Sequence, residues 1–531
     1  MALDRVDSDF DGNAIVAEDI IKVIGFISLF GHRGAHVEDG FIIDYLSYLH
    51  EKKELKNTIE QLVKLKILRF NRFSKSYKIT EGTDLNIESE LMQVSNEIET
   101  KLDIVHKLEE YFDFAVINAK SVSYKTGTPR FFQYYISEEP LKEFPKKQYQ
   151  IDGVINLVFD SNLDIDLLKS VSSDTEDFIY ASFQNISDIK ESIYEIEKTG
   201  QVIKKYGDDK VAVKELQSIQ ESLKSLLNHQ VLDALFTKDV EWYYQGKKIK
   251  IDSKKALYKK ISEVCEKVYF NTPIFRNELI NRYFVSGNIA NSKKILFEHL
   301  VNGHHKDDFG FSKAHFPAEK TIYLTLLKNT GIHSFQSGGY SLIKPTEDSF
   351  IPLWDHSEAF LESAKKERKT VDDFYNHFKS KPFKLTTGFL DFWIPIFLFI
   401  KRDDFALFGK EEGYLPEINE AILYLFTRNA PKYEIKAFDV QGVKLDLYNK
   451  YRELLQLKDV SKVNNKSLIE SIRPFLVFYR ELNEYTQQTK RLSREAISIR
   501  ETIQKTQDPE KLFFEEFPKN IGTQSERNSE V

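Results

Sequence analysis

In the stretch Asn57–Thr80, NTIEQLVKLKILRFNRFSKSYKIT, the hydrophobic period changes from helical to alternating partway along. Ile59, Leu62 and Val63 share one face of a helix over about 57–65. From there the order alternates: Ile67, Arg69, Phe70, Arg72, Phe73, Lys75, Tyr77, Lys78, Ile79. Asn71 and Ser74-Lys75-Ser76 are turn residues, so the stretch predicts a hairpin closing at Glu81-Gly82. Two helices precede it. Ile15–Phe30 is apolar and stops at His32-Arg33-Gly34, and Asp39–Lys52 places Phe41, Ile42, Tyr45, Leu46 and Leu49 on one face. Three helices followed by a hairpin is the winged-helix plan, a relative of the helix-turn-helix.

Charge points the same way. Between Gln61 and Thr80 there is no acidic residue, while Lys64, Lys66, Arg69, Arg72, Lys75 and Lys78 are all basic. The chain as a whole has 75 basic and 82 acidic side chains in 531 residues, a net charge of −7, so it is not basic over its whole surface. A local strip of this kind suits contact with DNA phosphates, and these six residues are the candidate DNA-binding set. The same residues also fit a winged helix that docks only onto proteins, with its lysines as a solvated face.

Beyond the hairpin, Ile87–Phe112 predicts a long amphipathic helix. Strand-like runs follow at Phe114–Ile117, Ser121–Lys125, Arg130–Ile136, Gly153–Phe159 and Phe178–Phe183, a small α/β unit. Residues 186–240 alternate in charge sign and predict a solvated helical arm, broken at Gly200 and at Tyr206-Gly207-Asp208-Asp209. Helices are expected over Ala256–Tyr269, from Asn271-Thr272-Pro273 through Tyr283, over about Ile289–Asn302 with Ser286 as its cap, and from Pro317 to Thr330-Gly331. Ser337-Gly338-Gly339 then turns a second hairpin between Ile332–Gln336 and Tyr340–Lys344. A third unit has a buried helix from Thr387, strands near Phe405 and Tyr433, and a helix over Pro416–Arg428. Arg473–Thr502 reads as a polar helical tail, with Asn520–Val531 disordered. The expected fold is therefore mainly α with small β hairpins (α+β). Multiple winged-helix-like units are joined by helical segments and one small α/β unit. The boundaries are 1–86 (winged helix), 87–185 (long helix and α/β unit), 186–250 (helical linker or arm), 251–345 (second winged-helix-like unit), 346–460 (third) and 461–531 (tail).

Several function classes drop out. A single cysteine, Cys265, excludes an internal disulfide framework and any Cys-rich zinc module, and fits a core position. The longest apolar run, Phe389–Ile400, contains Asp391 and Pro395 and is shorter than the about 20 residues of a membrane span. The acidic N-terminus has no signal pattern, so a cytoplasmic location is expected. There is no Gly-Lys-Ser or Gly-Lys-Thr phosphate loop, no G-x-S-x-G, no H-E-x-x-H and no G-x-G-x-x-G. No catalytic residue is assigned.

Four other groups carry candidate chemistry. Thr126, Gly127, Thr128 and Arg130 form a turn that fits a phosphate grip or a simple hairpin. Arg276, Asn277, Asn281 and Arg282 lie within about one and a half helical turns and suit a partner or nucleic-acid contact, or a domain junction. Glu298, His299, His304, His305, Asp307 and Asp308 are metal-ligating types, although adjacent histidines face one metal with difficulty, and a polar loop is the better reading. Asp152 and Asp160 flank a strand as a metal-dependent nuclease's carboxylates would, without the further acidic residue and lysine that such a site needs.

Taken together, several stretches resemble the C-terminal, post-ATPase region of the large P-loop ATPases of prokaryotic anti-phage defence islands (BREX BrxC/PglY-like and relatives). They are Tyr77–Asp84, Tyr124–Phe131, Glu241–Lys247, Tyr269–Arg282, Glu484–Thr489 with Leu492-Ser493, and Asp508–Phe514. In the helix after Ser286, Ser292-Lys293-Lys294 corresponds only approximately. The ATPase domain itself is absent. The resemblance implies a split-gene product or a standalone remnant: a non-catalytic DNA-binding adaptor of a defence system. Its partners would be double-stranded DNA and a separate P-loop ATPase or effector subunit, in an oligomeric assembly and with no membrane. No cofactor is expected in this chain, with ATP and magnesium reaching it only through the partner. A protein-protein scaffold and a metal-dependent nuclease are the alternatives.

Overall fold

The computed structural model describes residues 2–30, 37–71, 76–79, 87–98, 103–144, 150–159, 164–336, 338–411, 413–415, 417–438, 443–505 and 509–521. Among these the chain is mainly helical, with four sheets of two to six strands, an α+β arrangement. It divides into two units, Met1–Ile117 with Phe131–Lys260, and Asn118–Arg130 with Ile261–Val531. No described helix is long and apolar enough to cross a membrane.

The first unit opens with helices α1 (Ala2–Asp9), α2 (Ala14–Phe30), α3 (Asp39–Leu46) and α4 (Lys52–Lys64). Strands β1 (Leu68–Asn71) and β2 (Ser76–Ile79) follow, paired antiparallel with Phe70 opposite Tyr77. Ile20, Ile24, Ile42, Leu46, Leu55, Ile59, Leu62 and Leu68 fill one core. Helix α4 starts at Lys52 rather than Asn57, because Leu55 extends the buried stripe of Ile59 and Leu62 by one turn.

A six-stranded sheet follows in the order β3 (Val116–Asn118), β4 (Phe131–Ser137), β5 (Gly153–Val158), β6 (Phe178–Phe183), β7 (Val240–Tyr244), β8 (Lys247–Ile249). Strands β4, β5 and β6 are parallel, and β7 and β8 return antiparallel. Every position of β5 and β6 is buried, as central parallel strands require. The β7–β8 turn needs two left-handed residues, and Gln245 (φ 49°) and Gly246 (φ 72°) supply them. Helices Ser187–Lys205 and Lys210–Ala234 are not a solvated arm. Ile189, Ile193, Ile196 and Val202 on one, and Ala212, Leu216, Leu223, Leu227 and Val231 on the other, are buried. Ser192 donates to Gln230 at 2.6 Å across the antiparallel pair, and Gly200 does not interrupt its helix.

In the second unit, one core runs from Phe275 to Ala437, so the boundary expected at 345/346 does not exist. Helix Thr387–Ile400 is its centre, with Phe389, Leu390 and every residue from Phe392 to Phe399 buried. Around it lie helices Gly287–Gly303, Ala318–Tyr323, Ile351–Ser363, Val371–Lys379 and Glu420–Asn429, and hairpin β9 (His333–Gln336) and β10 (Gly339–Leu342). Strands β11 (Lys369–Thr370), β12 (Phe405–Gly409), β13 (Gly413–Leu415) and β14 (Tyr433–Ala437) form an antiparallel sheet in the order β11-β14-β12-β13. The C-terminal segment is a packed helical layer rather than a polar tail. Tyr448, Leu468, Ile472, Ile503, Leu512, Phe513 and Phe517 share a second core with Ala406 and Phe408 of β12. Residues 522–531, expected to be disordered, lie outside the described residues.

Four local expectations are overturned. The helix expected over Asp39–Lys52 ends at Leu46, and Lys52 opens α4. The long helix expected over Ile87–Phe112 is two, Ile87–Ile98 and Ile104–Tyr111, the second capped by Asp103, which accepts from His106 N. Ser121–Lys125, expected as a strand, is part of helix Lys120–Thr126. Residues 271–283, expected to be helical, are irregular.

Candidate nucleic-acid interface

The basic strip does not present one face. Lys64 and Lys66 are exposed, the second in left-handed backbone (φ 53°) just after α4. Arg69 pairs with Glu215 at 2.9 Å, and Lys78 donates to Ser218 at 2.7 Å, both on helix Lys210–Ala234. Burial lowers the Lys78 pKa, as desolvation of an ammonium must. Arg69 and Lys78 therefore pack the hairpin against its own unit, which corrects their assignment as DNA contacts. Arg72 and Lys75 lie outside the described residues.

In exchange, α4 shows two cations outside the candidate set, Lys53 and Lys56, beside Lys64. Lys53, Lys56 and Lys64 are exposed along its outward side together with Asn57 and Glu60, while Lys52 pairs with Asp44 at 2.9 Å. The signal was present in the Leu55-Ile59-Leu62 spacing, which fixes the opposite side as solvent-facing.

The two polar groups further along meet at one place in the second unit. Gly127 ends helix Lys120–Thr126 in left-handed conformation (φ 79°), and Phe275 N donates to Thr126 O at 2.7 Å. The Asn281 amide lies 3.0 Å from Gly127 O, 2.9 Å from Thr128 Oγ1 and 2.9 Å from Phe275 O, and Thr386 Oγ1 donates to its oxygen. Asn277 donates to Thr325 Oγ1 at 2.8 Å and accepts from Leu279 N. Arg130 is 1% exposed; its guanidinium donates to Lys384 O, Phe383 O and Thr272 Oγ1 and stacks over the Tyr269 ring at 4.3 Å. Thr126, Gly127, Thr128, Arg130, Asn277 and Asn281 therefore hold irregular backbone together and are not a phosphate grip. Their donors are directed at buried carbonyls and hydroxyls, as buried polar groups must be. Arg276 and Arg282 stay exposed, reaching Lys125 O and Glu278 O.

The histidine–carboxylate cluster is likewise occupied. His299 Nδ1 contacts Phe309 O at 2.9 Å, and His304 Nδ1 contacts Leu300 O at 3.0 Å. Asp308 pairs with Lys328 at 2.5 Å. Asp308, Phe309 and Gly310 form a left-handed run (φ 48°, 54° and 76°), into which Gly303 lets Phe309 O approach. Among the described residues no three His, Cys, Asp or Glu side chains are grouped to hold a metal. Asp152 is fully buried and accepts from Phe131 N at 2.8 Å at the start of β4, while Asp160 lies outside the described residues. Cys265 is buried.

His333, 3% exposed, lies next to this cluster. Its Nε2 faces His304 O at 3.0 Å and so carries the proton, which leaves Nδ1 to accept from Tyr323 Oη at 2.7 Å. Burial holds its pKa below the ordinary histidine value. The unfolded chain thus takes up this proton first. The neutral ring's contribution to stability is whole above about pH 6.5 and is lost as pH falls below that, until the folded-state pKa is reached. Urea titrations from pH 7 downward should show this proton as a slope of up to about 1.4 kcal/mol per pH unit, and His333→Gln should flatten the curve by that amount.

No family model matches the chain, and neither does any curated protein or solved structure.

Proposed function

We propose that the chain is a non-catalytic adaptor that holds duplex DNA through the outward side of α4 and works with a separate P-loop ATPase or effector subunit. The observation that carries the DNA contact is the placement of Lys53, Lys56 and Lys64, all exposed, on the last of the four helices that precede the hairpin. In the winged-helix reading this helix enters the major groove, with lysines flanking it on the phosphates. The ATPase partner and the defence setting are what the sequence resemblance implies, and the lack of a phosphate loop in this chain is in keeping with them.

Charge reversal tests the contact. The triple variant Lys53→Glu, Lys56→Glu, Lys64→Glu should bind duplex DNA more weakly at every sequence. Its log–log salt slope should be about 2–3 units shallower than wild type, since each lost phosphate contact removes about 0.9. Unchanged affinity and slope in the folded variant would dismiss α4.

A scaffold that binds only proteins is the second reading, and one feature favours it. Phe26, Leu29 and Phe30 of α2 are exposed, as are Phe41 and Tyr45 of α3 with Tyr48 and Leu49 just beyond; Tyr48 is 92% exposed. A scaffold would form a stable complex with its partner in size-exclusion chromatography and show no DNA affinity in the titration above.

A further inference from the structure

The most concentrated positive charge identified in the chain lies outside the hairpin. Residues 247–260, KKIKIDSKKALYKK, hold Lys247, Lys248, Lys250, Lys254, Lys255, Lys259 and Lys260 against the single acid Asp252. They span β8, the last strand of the six-stranded sheet, and the first turns of helix Lys254–Val268. All are exposed except Lys260, which lies half-buried over the Tyr244 ring at 4.3 Å.

Local structure accounts for only part of this charge. Lys248 is neutralised by Glu241 at 2.6 Å and Lys250 by Asp252 at 3.2 Å. Lysines on an edge strand also discourage pairing with a foreign strand, which explains those on β8. Neither reason reaches Lys254 and Lys255. They stand in a first helical turn without an acidic residue, where positive charge opposes the helix dipole, and Ser253 already caps that turn by accepting from Ala256 N. A concentrated positive field kept against local stability favours an anionic partner.

We propose that β8 and the first turns of helix Lys254–Val268 form a second surface that binds the phosphate backbone of duplex nucleic acid. Charge complementarity points to a polyanion with closely spaced charges. Seven lysines within 14 residues suit the dense phosphates of a duplex, which carries one charge per about 1.7 Å of its axis. Tyr244 is buried and Tyr258 half-buried, so no exposed ring offers the stacking platform of a single-strand binder. The charges sit on a strand and a helix, both regular elements, and contact of this kind is independent of base sequence.

The inference goes beyond the α4 reading and stands without it. The full chain carrying Lys247→Glu, Lys254→Glu and Lys255→Glu is titrated against a fluorescent duplex of about 30 base pairs, over about 50–300 mM salt, beside wild type and the α4 triple variant. The three positions are exposed, and a Lys→Gln triple, checked by circular dichroism, covers any loss of folding. The expected result is weaker binding and a salt slope shallower by about 2–3 units. A loss confined to the α4 variant overturns this inference and leaves the α4 reading in place. A loss confined to the β8 variant supports it and removes α4. An unlabelled polyglutamate arm decides the partner: if the strip's lysines matter for polyglutamate and not for DNA, the nucleic-acid assignment is overturned.

Discussion

Asp391→Ala is expected to destabilise the second unit by about 3–5 kcal/mol, because it leaves the Lys293 ammonium in the core without its carboxylate. The two groups lie 2.7 Å apart, with side chains 4% and 15% exposed, and Tyr375 Oη donates to the other Asp391 oxygen at 3.2 Å. Asp391 sits in the second turn of the most apolar of the described helices, flanked by buried Leu390 and Phe392. A charge there is tolerated only as part of a satisfied set. The same argument predicts that removing the set costs far less than breaking it. Lys293→Met, Asp391→Leu and Tyr375→Phe together should come within about 1–2 kcal/mol of wild type, or exceed it, since a buried pair replaced by packed apolar groups is often neutral or stabilising. Urea unfolding followed by tryptophan fluorescence in a Trp242→Phe background reads this unit, because Trp354 and Trp393 lie in its main core and Trp242, the third tryptophan, lies in the first unit. If the triple variant falls as far as Asp391→Ala, the loss comes from packing and the ion pair has no special part in it.

That pair also marks how far the sequence could be read. Asp391 was visible as the anomaly in an apolar run, but Lys293, 98 positions away, was not. Elements set by local chemistry were legible. Strand Phe178–Phe183 matches its apolar run residue for residue; Ser286 caps its helix by accepting from Ile289 N; and both hairpins fall where their turn residues predicted. The segment after Pro273 misled because its local pattern suits a helix, whereas Asn277 and Asn281 spend their amides on Thr325, Thr128 and Thr386. Contacts at that separation override propensity. Helix Lys120–Thr126 misled because seven residues carry almost no period, and Val122 and Tyr124 imitate a strand. Charge was legible as a count and not as a surface. Arg69 and Lys78 look like Lys53 and Lys56 in the sequence, and only packing against helix Lys210–Ala234 separates the cations that brace the fold from those left to solvent.

The irregular segment yields the other large prediction, one whose sign runs against helix propensity. Residues 275–282 pass between two glycines. A Cβ on Gly127 would lie 2.3 Å from Phe275 O, and one on Gly388 would lie 2.4 Å from Ile280 O and 2.5 Å from Arg282 O. Both obstacles are backbone, which cannot swing aside as a side-chain tip can. Gly127 adds a left-handed φ of 79°, which costs a non-glycine residue about 1–2 kcal/mol before any contact is counted. With about 1–3 kcal/mol more for overpacking, Gly127→Ala should destabilise the second unit by about 2–5 kcal/mol. Gly388 occupies the first turn of a helix, where alanine is ordinarily better by up to about 1 kcal/mol. Gly388→Ala should nevertheless destabilise, by about 1–3 kcal/mol, because it displaces the carbonyls of Ile280 and Arg282, the second of which accepts from Gly388 N at 2.9 Å. Gly287, the first residue of helix Gly287–Gly303, is the control: nothing lies within 4 Å of its Cβ position, so Gly287→Ala should be neutral or slightly stabilising. Loss at 127 and 388 with none at 287, read by the same fluorescence transition, would fix the close approach of 275–282 as the cause. Equal behaviour at 287 and 388 would mean that the segment does not press on the helix as the geometry requires.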